Sequence, residues 1–293
     1  STTVERSHPQ FSPDGKELAF IEDRNRLMVL NLETKKVRRI TDGSTWYSTS
    51  GGFDYAWSPD SKWFTLEFIG NKHDPYSDIG LVSAQGNGEI INLTNSGYSS
   101  GSPSFALDGN AILFTTERYG MRAHASWGSL DDAMLVFLNQ DAYDKFSLSK
   151  EDYELYKEAN SDRKKVAAKD SSKVKDVVVE LKNIEDRIVR LTPNSSNMGS
   201  TLISKDGKTL YYLASTESGR NLWKMDLNKK ETKLLHKVDA GWTSLEMDKE
   251  GKTLFILNGK NMQKMNLASD DLKPIKYLAQ VKLDLSAERE YLS

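Results

Sequence analysis

A tight-turn signature set between short apolar runs returns five times, and nothing else in the chain restricts its fold so strongly. Phe11-Ser12-Pro13-Asp14-Gly15-Lys16 leads into Glu17-Leu18-Ala19-Phe20. Trp57-Ser58-Pro59-Asp60-Ser61-Lys62 leads into Trp63-Phe64-Thr65-Leu66, and Phe105-Ala106-Leu107-Asp108-Gly109-Asn110 into Ala111-Ile112-Leu113-Phe114. Ser204-Lys205-Asp206-Gly207-Lys208 and Met247-Asp248-Lys249-Glu250-Gly251-Lys252 follow, the last with one extra residue before its glycine. Proline fixes φ at the second turn position, aspartate bonds its own backbone and glycine accepts positive φ. The flanking apolar runs read as the two strands of a hairpin.

The spacing sets the architecture. Asp14, Asp60 and Asp108 lie 46 and 48 residues apart, and Asp206 and Asp248 lie 42 apart. A period of about 40–50 residues with several strands per unit is that of propeller blades, each a small four-stranded sheet. The expectation is an all-β chain, a β-propeller with five visible blades near 8–42, 55–94, 103–192, 200–236 and 242–276. The gap from Asp108 to Asp206 is 98 residues. Since no turn signature lies between 110 and 180, it reads as one blade carrying a mixed α/β insertion over 118–175. In that reading, Ala133-Met134-Leu135-Val136-Phe137-Leu138 is a strand inside the insertion. Ser149-Lys150-Glu151-Asp152 caps a short helix, and 161–175 is a solvated or mobile loop. Val177–Leu181 and 183–192 then close the third blade. Blades end on a recurrent Leu/Ile-Thr, as at Ile40-Thr41, Leu93-Thr94 and Leu191-Thr192. Residues 1–7 are expected to finish an outer strand of a preceding blade. Residues 277–293 read as a linker strand, Val281–Leu285, and the first turn of a helix entering a further domain.

Composition removes several function classes. With 42 acidic and 40 basic residues the net charge is −2, so no global pull toward nucleic acid or an anionic membrane is expected. There is no cysteine, which excludes disulfides, a thiol nucleophile and cysteine-ligated metal. No apolar run reaches the ~18 residues a spanning helix needs. The first residues, Ser1-Thr2-Thr3-Val4, carry neither an initiator methionine nor a signal peptide, as in a mature form or a fragment.

Motifs with chemical meaning are weak. Gly97-Tyr98-Ser99-Ser100-Gly101 fits the G-x-S-x-G elbow of hydrolases, which needs a strand before it and a helix after; here another strand is expected. Gly207-Lys208-Thr209 and Gly251-Lys252-Thr253 lack the upstream glycine of a phosphate loop. The four histidines, His8, His73, His124 and His236, show no metal spacing, and no cofactor or metal is expected. Asp14, Asp60, Asp108, Asp206 and Asp248 recur at one turn, which argues for a structural role in every blade. Two loops stand out. One holds Arg118, Tyr119, Arg122, His124 and Trp127, a mixture suited to a carboxylate or peptide. The other holds Trp46 and Tyr47 between blades. Ordinary blade packing is the plain alternative for both.

The Ser-Pro-Asp-Gly-Lys hairpin with its closing Leu-Thr resembles the repeat of propellers in the TolB translocation protein and the tricorn protease. Three stretches are similar to tricorn-like peptidases of Bacteroidetes-type bacteria: Ser126-Trp127-Gly128-Ser129-Leu130-Asp131-Asp132, Val179–Thr192 and Val281–Glu290. The resemblance implies a propeller that passes unfolded peptides to a serine peptidase core. It also implies helical, PDZ and protease domains of the same polypeptide beyond residue 293, and a periplasmic or secreted location. No residue here matches that family's catalytic serine or histidine. A TolB-like scaffold that docks a folded partner is the other implied role. A propeller enzyme with converging acids of its own is a third class, which no spacing recommends.

Overall fold

The computed structural model describes residues 4–49, 51–70, 74–86, 88–124, 127–159, 174–215, 219–240, 243–258 and 261–277. They build five four-stranded antiparallel sheets, each a propeller blade. Blade one is β1 (Arg6–Phe11), β2 (Glu17–Glu22), β3 (Arg26–Asn31) and β4 (Val37–Arg39). Blade two is β5 (Tyr55–Trp57), β6 (Trp63–Phe68), β7 (Asp78–Ser83) and β8 (Ile91–Asn92). Blade three is assembled from β9 (Ser100–Ala106), β10 (Ala111–Thr116), β13 (Asp132–Phe137) and β14 (Ile188–Arg190), with a two-stranded hairpin β11 (Arg122–His124) and β12 (Trp127–Ser129) between β10 and β13. Helices α1 (Gln140–Ser147) and α2 (Lys150–Ala159) lie between β13 and β14. Blade four is β15 (Asn197–Ile203), β16 (Thr209–Ser215), β17 (Arg220–Asp226) and β18 (Glu231–Ala240). These four blades belong to one compact unit, Ser1–Gly241. A second unit, Trp242–Ser293, contains the fifth sheet, β19 (Thr243–Met247), β20 (Thr253–Asn258), β21 (Asn261–Asn266) and β22 (Asp271–Pro274).

The repeated turn owes its shape to a serine–aspartate pair. Ser12 Oγ donates to Asp14 Oδ1 at 2.6 Å and accepts Glu17 N at 3.0 Å, while Asp14 Oδ1 accepts Lys16 N at 3.1 Å. Ser58 and Asp60 repeat this with Trp63 N and Lys62 N, and Ser204 and Asp206 with Thr209 N and Lys208 N. The side chains thus close turn amides that the ladder leaves open. Two copies depart from the pattern. In blade three Ala106 stands where the serine is needed, and the turn tightens into a 3-10 turn with φ of 56° at Asp108. In the fifth sheet Asp248 N bonds Thr253 O and Gly251 N bonds Asp248 O, as Ser12 does with Glu17 and Gly15. Asp248 therefore occupies the serine position, and its carboxylate accepts Lys252 N and Thr253 N. The extra residue read into this copy vanishes in that register.

The closing threonines have one job. Thr41, Thr94 and Thr192 each turn Oγ1 onto a third-strand amide, Leu27 N at 2.9 Å, Ile79 N at 3.1 Å and Ala133 N at 3.2 Å. This caps the end of the ladder from the fourth strand.

Several expectations need correction. Arg6–Phe11 is the first strand of blade one, so residues 6 and 7 do not belong to a preceding blade. The apolar run 133–138 is no part of an insertion: β13 pairs with β10 and β14 as the third strand of the blade. Two excursions replace the single insertion, the hairpin before β13 and the helices after it. Val177–Leu181 forms no strand. It runs as an extended strap in which Val177 N donates to Asp60 Oδ2 at 2.8 Å and Glu180 N to Leu138 O at 2.7 Å. Helix α2 does begin at the expected cap, with Asp152 N on Ser149 Oγ at 3.1 Å. Helix α1 lies outside the sequence expectations; Asn139 caps it by accepting Ala142 N at 3.0 Å, and Tyr143 and Phe146 pack on Phe137. The loop placed at 161–175 lies almost wholly outside the described residues, as do the linker strand and helical turn expected within 277–293.

The core lies between blades. Leu27, Val29, Trp57, Phe64 and Leu66 join blade one to blade two. Ile79, Leu81, Ile112, Phe114 and Val136 join two to three. Leu113, Leu135, Phe137, Leu210 and Tyr212 join three to four. Truncating a fully buried aromatic such as Phe64, Phe114 or Phe137 costs about 3–5 kcal/mol.

Candidate functional site

Antiparallel order sorts the loops of the first unit into two sets. The Ser-x-Asp hairpins connect first to second strands at one end of the blades. The loops from second to third strand, and from one blade to the next, leave the opposite end. Both candidate loops belong to that opposite end.

The hairpin of blade three is rooted on a buried carboxylate. Asp132, fully buried at the start of β13, accepts Arg190 Nε at 3.0 Å, Thr192 Oγ1 at 2.7 Å and Ser195 Oγ at 2.7 Å. The Arg190 guanidinium in turn lies 5.1 Å from the centre of the Tyr119 ring, and Arg118 lies 5.6 Å from the same ring. Arg122 sits over Tyr98 at 5.7 Å. Cations over aromatic faces are attracted by the ring quadrupole. Gly120 lets the hairpin cross its own base: a Cβ there would lie 1.7 Å from Leu130 O. Tyr119 is 47% exposed and Met121 79%.

Acidic groups gather below. Burial, Glu117 and Asp132 push the Asp131 carboxyl up to about 6, against the opposing pull of Arg220. Asp131 also bridges Ser196 through its backbone, tying the hairpin to the loop that enters blade four. Tied in this way, the foot of the hairpin offers arginine, tyrosine and methionine to solvent. Interfaces are enriched in these residue types.

Of the sequence candidates, Arg118 and Tyr119 meet here, and Arg122 stands beside them in sequence over the Tyr98 ring. His124 and Trp127 face each other as a backbone pair of β11 and β12; their side chains lie outside the described residues. Trp46 and Tyr47 take other neighbours. Trp46 Nε1 donates to Gly52 O at 2.8 Å and its ring meets Phe53 edge-on at 5.7 Å. Tyr47 hydrogen-bonds Asp74 through its hydroxyl. Trp46 thus shapes its own loop around the blade core. The sequence does not mark Tyr98, Asp131 or Arg190 for this site: Tyr98 stands in the G-x-S-x-G match, and Asp131 and Arg190 in two of the stretches similar to tricorn-like peptidases.

That match is no nucleophile elbow. Ser100 begins β9, a strand, and the Ser99 carbonyl accepts Glu117 N at 3.0 Å. Asp14, Asp60, Asp206 and Asp248 each accept turn amides, Asp60 taking the Val177 amide as well. His73 lies outside the described residues. Among the described residues no three His, Cys, Asp or Glu side chains cluster as metal ligands, and no helix is long and apolar enough to cross a membrane.

No family model matches the chain. Over 258 residues, 84% of the chain, it is 26% identical to a tricorn-like protease C-terminal subunit of Sulfurisphaera tokodaii. It is 27% identical over 221 residues to the peptidase YuxL of Bacillus subtilis. The chain spans less than a third of either relative, 27% and 30% of their lengths. Among solved structures, the tricorn protease matches 93% of the chain with a TM-score of 0.64 at 12% identity, over 26% of its own length. A TolB structure from Agrobacterium tumefaciens matches 93% with a TM-score of 0.60 at 14% identity, over 81% of its own length.

Proposed function

We propose that this chain, whose sheets are propeller blades of the TolB and tricorn type, is a non-catalytic module that guides unfolded peptides within a larger serine peptidase. The hairpin of blade three carries the reading: where it leaves the blade, Arg118, Tyr119, Met121 and Arg122 are open to solvent. Arginine pairs with a peptide carboxylate through two parallel hydrogen bonds. Tyrosine and methionine cover apolar side chains without requiring one sequence. His124 and Trp127, whose backbones pair on the hairpin, and Trp46 and Tyr47 on the inter-blade loop stay in this reading as candidates by residue type.

The supporting similarity is to proteins named as peptidases and more than three times as long as the matched region. In this reading helical, PDZ and protease domains of the same polypeptide supply the chemistry, and the location is periplasmic or secreted. Fluorescence anisotropy of labelled unstructured peptides with free or amidated C-termini tests the proposal. Saturable binding weakened by amidation and by Arg122→Ala is expected. Absence of binding to any peptide would overturn it.

A second reading has one observation in its favour. The matched region takes in most of a TolB structure but about a quarter of the tricorn protease. A scaffold of the TolB kind would retain one folded partner and ignore unfolded peptides in the same titration.

A further inference from the structure

We propose that Glu67 and Asp54 form a proton-sensitive staple across the seam between blades two and three, tightest in mild acid and loosened above neutral pH. The first strand of blade three breaks register between Gly101 and Ser104. Ser102 sits in that break with a φ of 51°. Its amide leaves the ladder and donates to Glu67 Oε1 at 2.7 Å, and its hydroxyl donates to Asp54 Oδ2 at 3.2 Å. Asp54 N donates to Glu67 Oε2 at 3.4 Å. One serine therefore bridges two carboxylates from the neighbouring blade. The arrangement is close-fitting, since a Cβ at Gly101 would lie 2.6 Å from Glu67 Oε1.

The groups around Glu67 decide how it responds to protons. From β9 it faces Gly101 and Ser102. On β10 the Thr115 hydroxyl donates to the Gly101 carbonyl at 3.2 Å. From β7 it has Ile79 beside it in the ladder. Asp78, one step along that strand, is occupied by Asn92, Thr94 and Ser96. The charged group acting on Glu67 is Asp54, and it is negative. Burial first and Asp54 second push the Glu67 carboxyl up to about 7, while the amides of Ser102 and Asp54 pull the other way.

The sign follows from linkage. A carboxyl whose folded-state value lies above its unfolded value of 4.5 holds its proton better when folded. Its contribution is complete at low pH and is lost as pH rises through about 7. Neutral Glu67 accepts the Ser102 amide beside a single charge on Asp54. Ionised Glu67 places a second negative charge on the same serine. The seam then opens at lower cost, and it lies next to the inter-blade loop that carries Trp46 and Tyr47. The inference does not rest on the peptide-guiding reading.

Amide hydrogen exchange on the whole chain, corrected for the intrinsic rate, tests the staple between about pH 5.5 and 8.5. Protection in peptides covering 98–106 and 52–58 should fall on the order of tenfold across that range, one pKa unit being worth a factor of ten. Glu67→Gln, permanently neutral, should keep its protection at every pH. Asp54→Asn should move the midpoint to lower pH. A flat wild-type profile would overturn the proposal, as would a Glu67→Gln profile that still falls or an Asp54→Asn midpoint that stays in place. Should Glu67→Gln fail to fold, carbon-13 NMR of the wild-type Glu67 carboxyl decides: titration near 7 supports the staple, and titration below about 5.5 overturns it.

Discussion

Arg190 holds the buried carboxylate of Asp132 through Nε at 3.0 Å and a second guanidinium nitrogen at 2.9 Å, and rests its face on Tyr119. One pair thus joins the fourth strand of blade three, the start of its third strand and the foot of the exposed hairpin. Removing Asp132 leaves Arg190, Thr192 and Ser195 without their acceptor. Because Arg190 is partly open to water, Asp132→Ala is expected to cost about 3 kcal/mol, the low end for breaking a buried pair. Urea denaturation measures this. Glu22→Ala, which breaks surface contacts with Arg6 and Arg26, should cost no more than about 1 kcal/mol in the same assay.

The closing threonine offers a cleaner test of blade capping. Thr192→Val keeps the volume and removes the oxygen that serves Ala133 N and donates to Asp132. A loss of about 1–3 kcal/mol is expected for the unmet buried groups. Thr94→Val should behave alike in blade two, where the oxygen serves Ile79 N and Asp78. A substitution that leaves the denaturation midpoint unchanged would remove the stabilising role given to the motif.

Asp131 should make stability depend on pH in a known direction. Its folded-state value of about 6 lies above the unfolded 3.8, so its contribution is present at low pH and is lost as pH rises through about 6. Asp131→Asn removes that loss. The variant should gain stability relative to the parent between about pH 4.5 and 7.5, by on the order of 1–2 kcal/mol after allowance for solvent screening. Paired melting curves at the two pH values check it. A constant difference would mean that Asp131 titrates normally.

Much of the fold could be read from the turns because they are local. Ser12-Pro13-Asp14-Gly15 carries its own hydrogen-bond acceptors, so its hairpin does not depend on distant residues. Blade three resisted for the opposite reason. β13 is buried along its whole length, so it shows an unbroken apolar run with none of the alternation that marks a half-exposed strand. Its partner β10 is separated from it by the hairpin. Val177–Val179, with three consecutive β-branched residues, reads as a strand; in the structure the Val177 amide bonds the Asp60 carboxylate and the Glu180 amide the Leu138 carbonyl, with no ladder between them. The site was legible in part. Arg118, Tyr119 and Arg122 are neighbours in sequence, whereas Tyr98 and Arg190 reach them only through the pairing of β9, β10, β13 and β14.

Gly120 decides whether the hairpin can hold its exposed foot in place. A side chain there meets the Leu130 carbonyl and Ser129 Oγ, at 1.7 and 2.8 Å from the ideal Cβ position. Backbone at that distance has to move, and the crossing between Met121 O and Leu130 N, 3.2 Å long, moves with it. The blade below keeps its own ladder from β10 to β13, so global stability should fall by only about 1 kcal/mol in Gly120→Ala, the middle of the range for single substitutions. Peptide binding should suffer far more, since Arg118, Tyr119 and Arg122 lose their common frame. A loss of at least about tenfold in affinity, or 1.4 kcal/mol, is expected by anisotropy, with the denaturation midpoint nearly unchanged. Equal affinity in the parent and Gly120→Ala would separate peptide recognition from the hairpin and move the search to the loop of Trp46 and Tyr47.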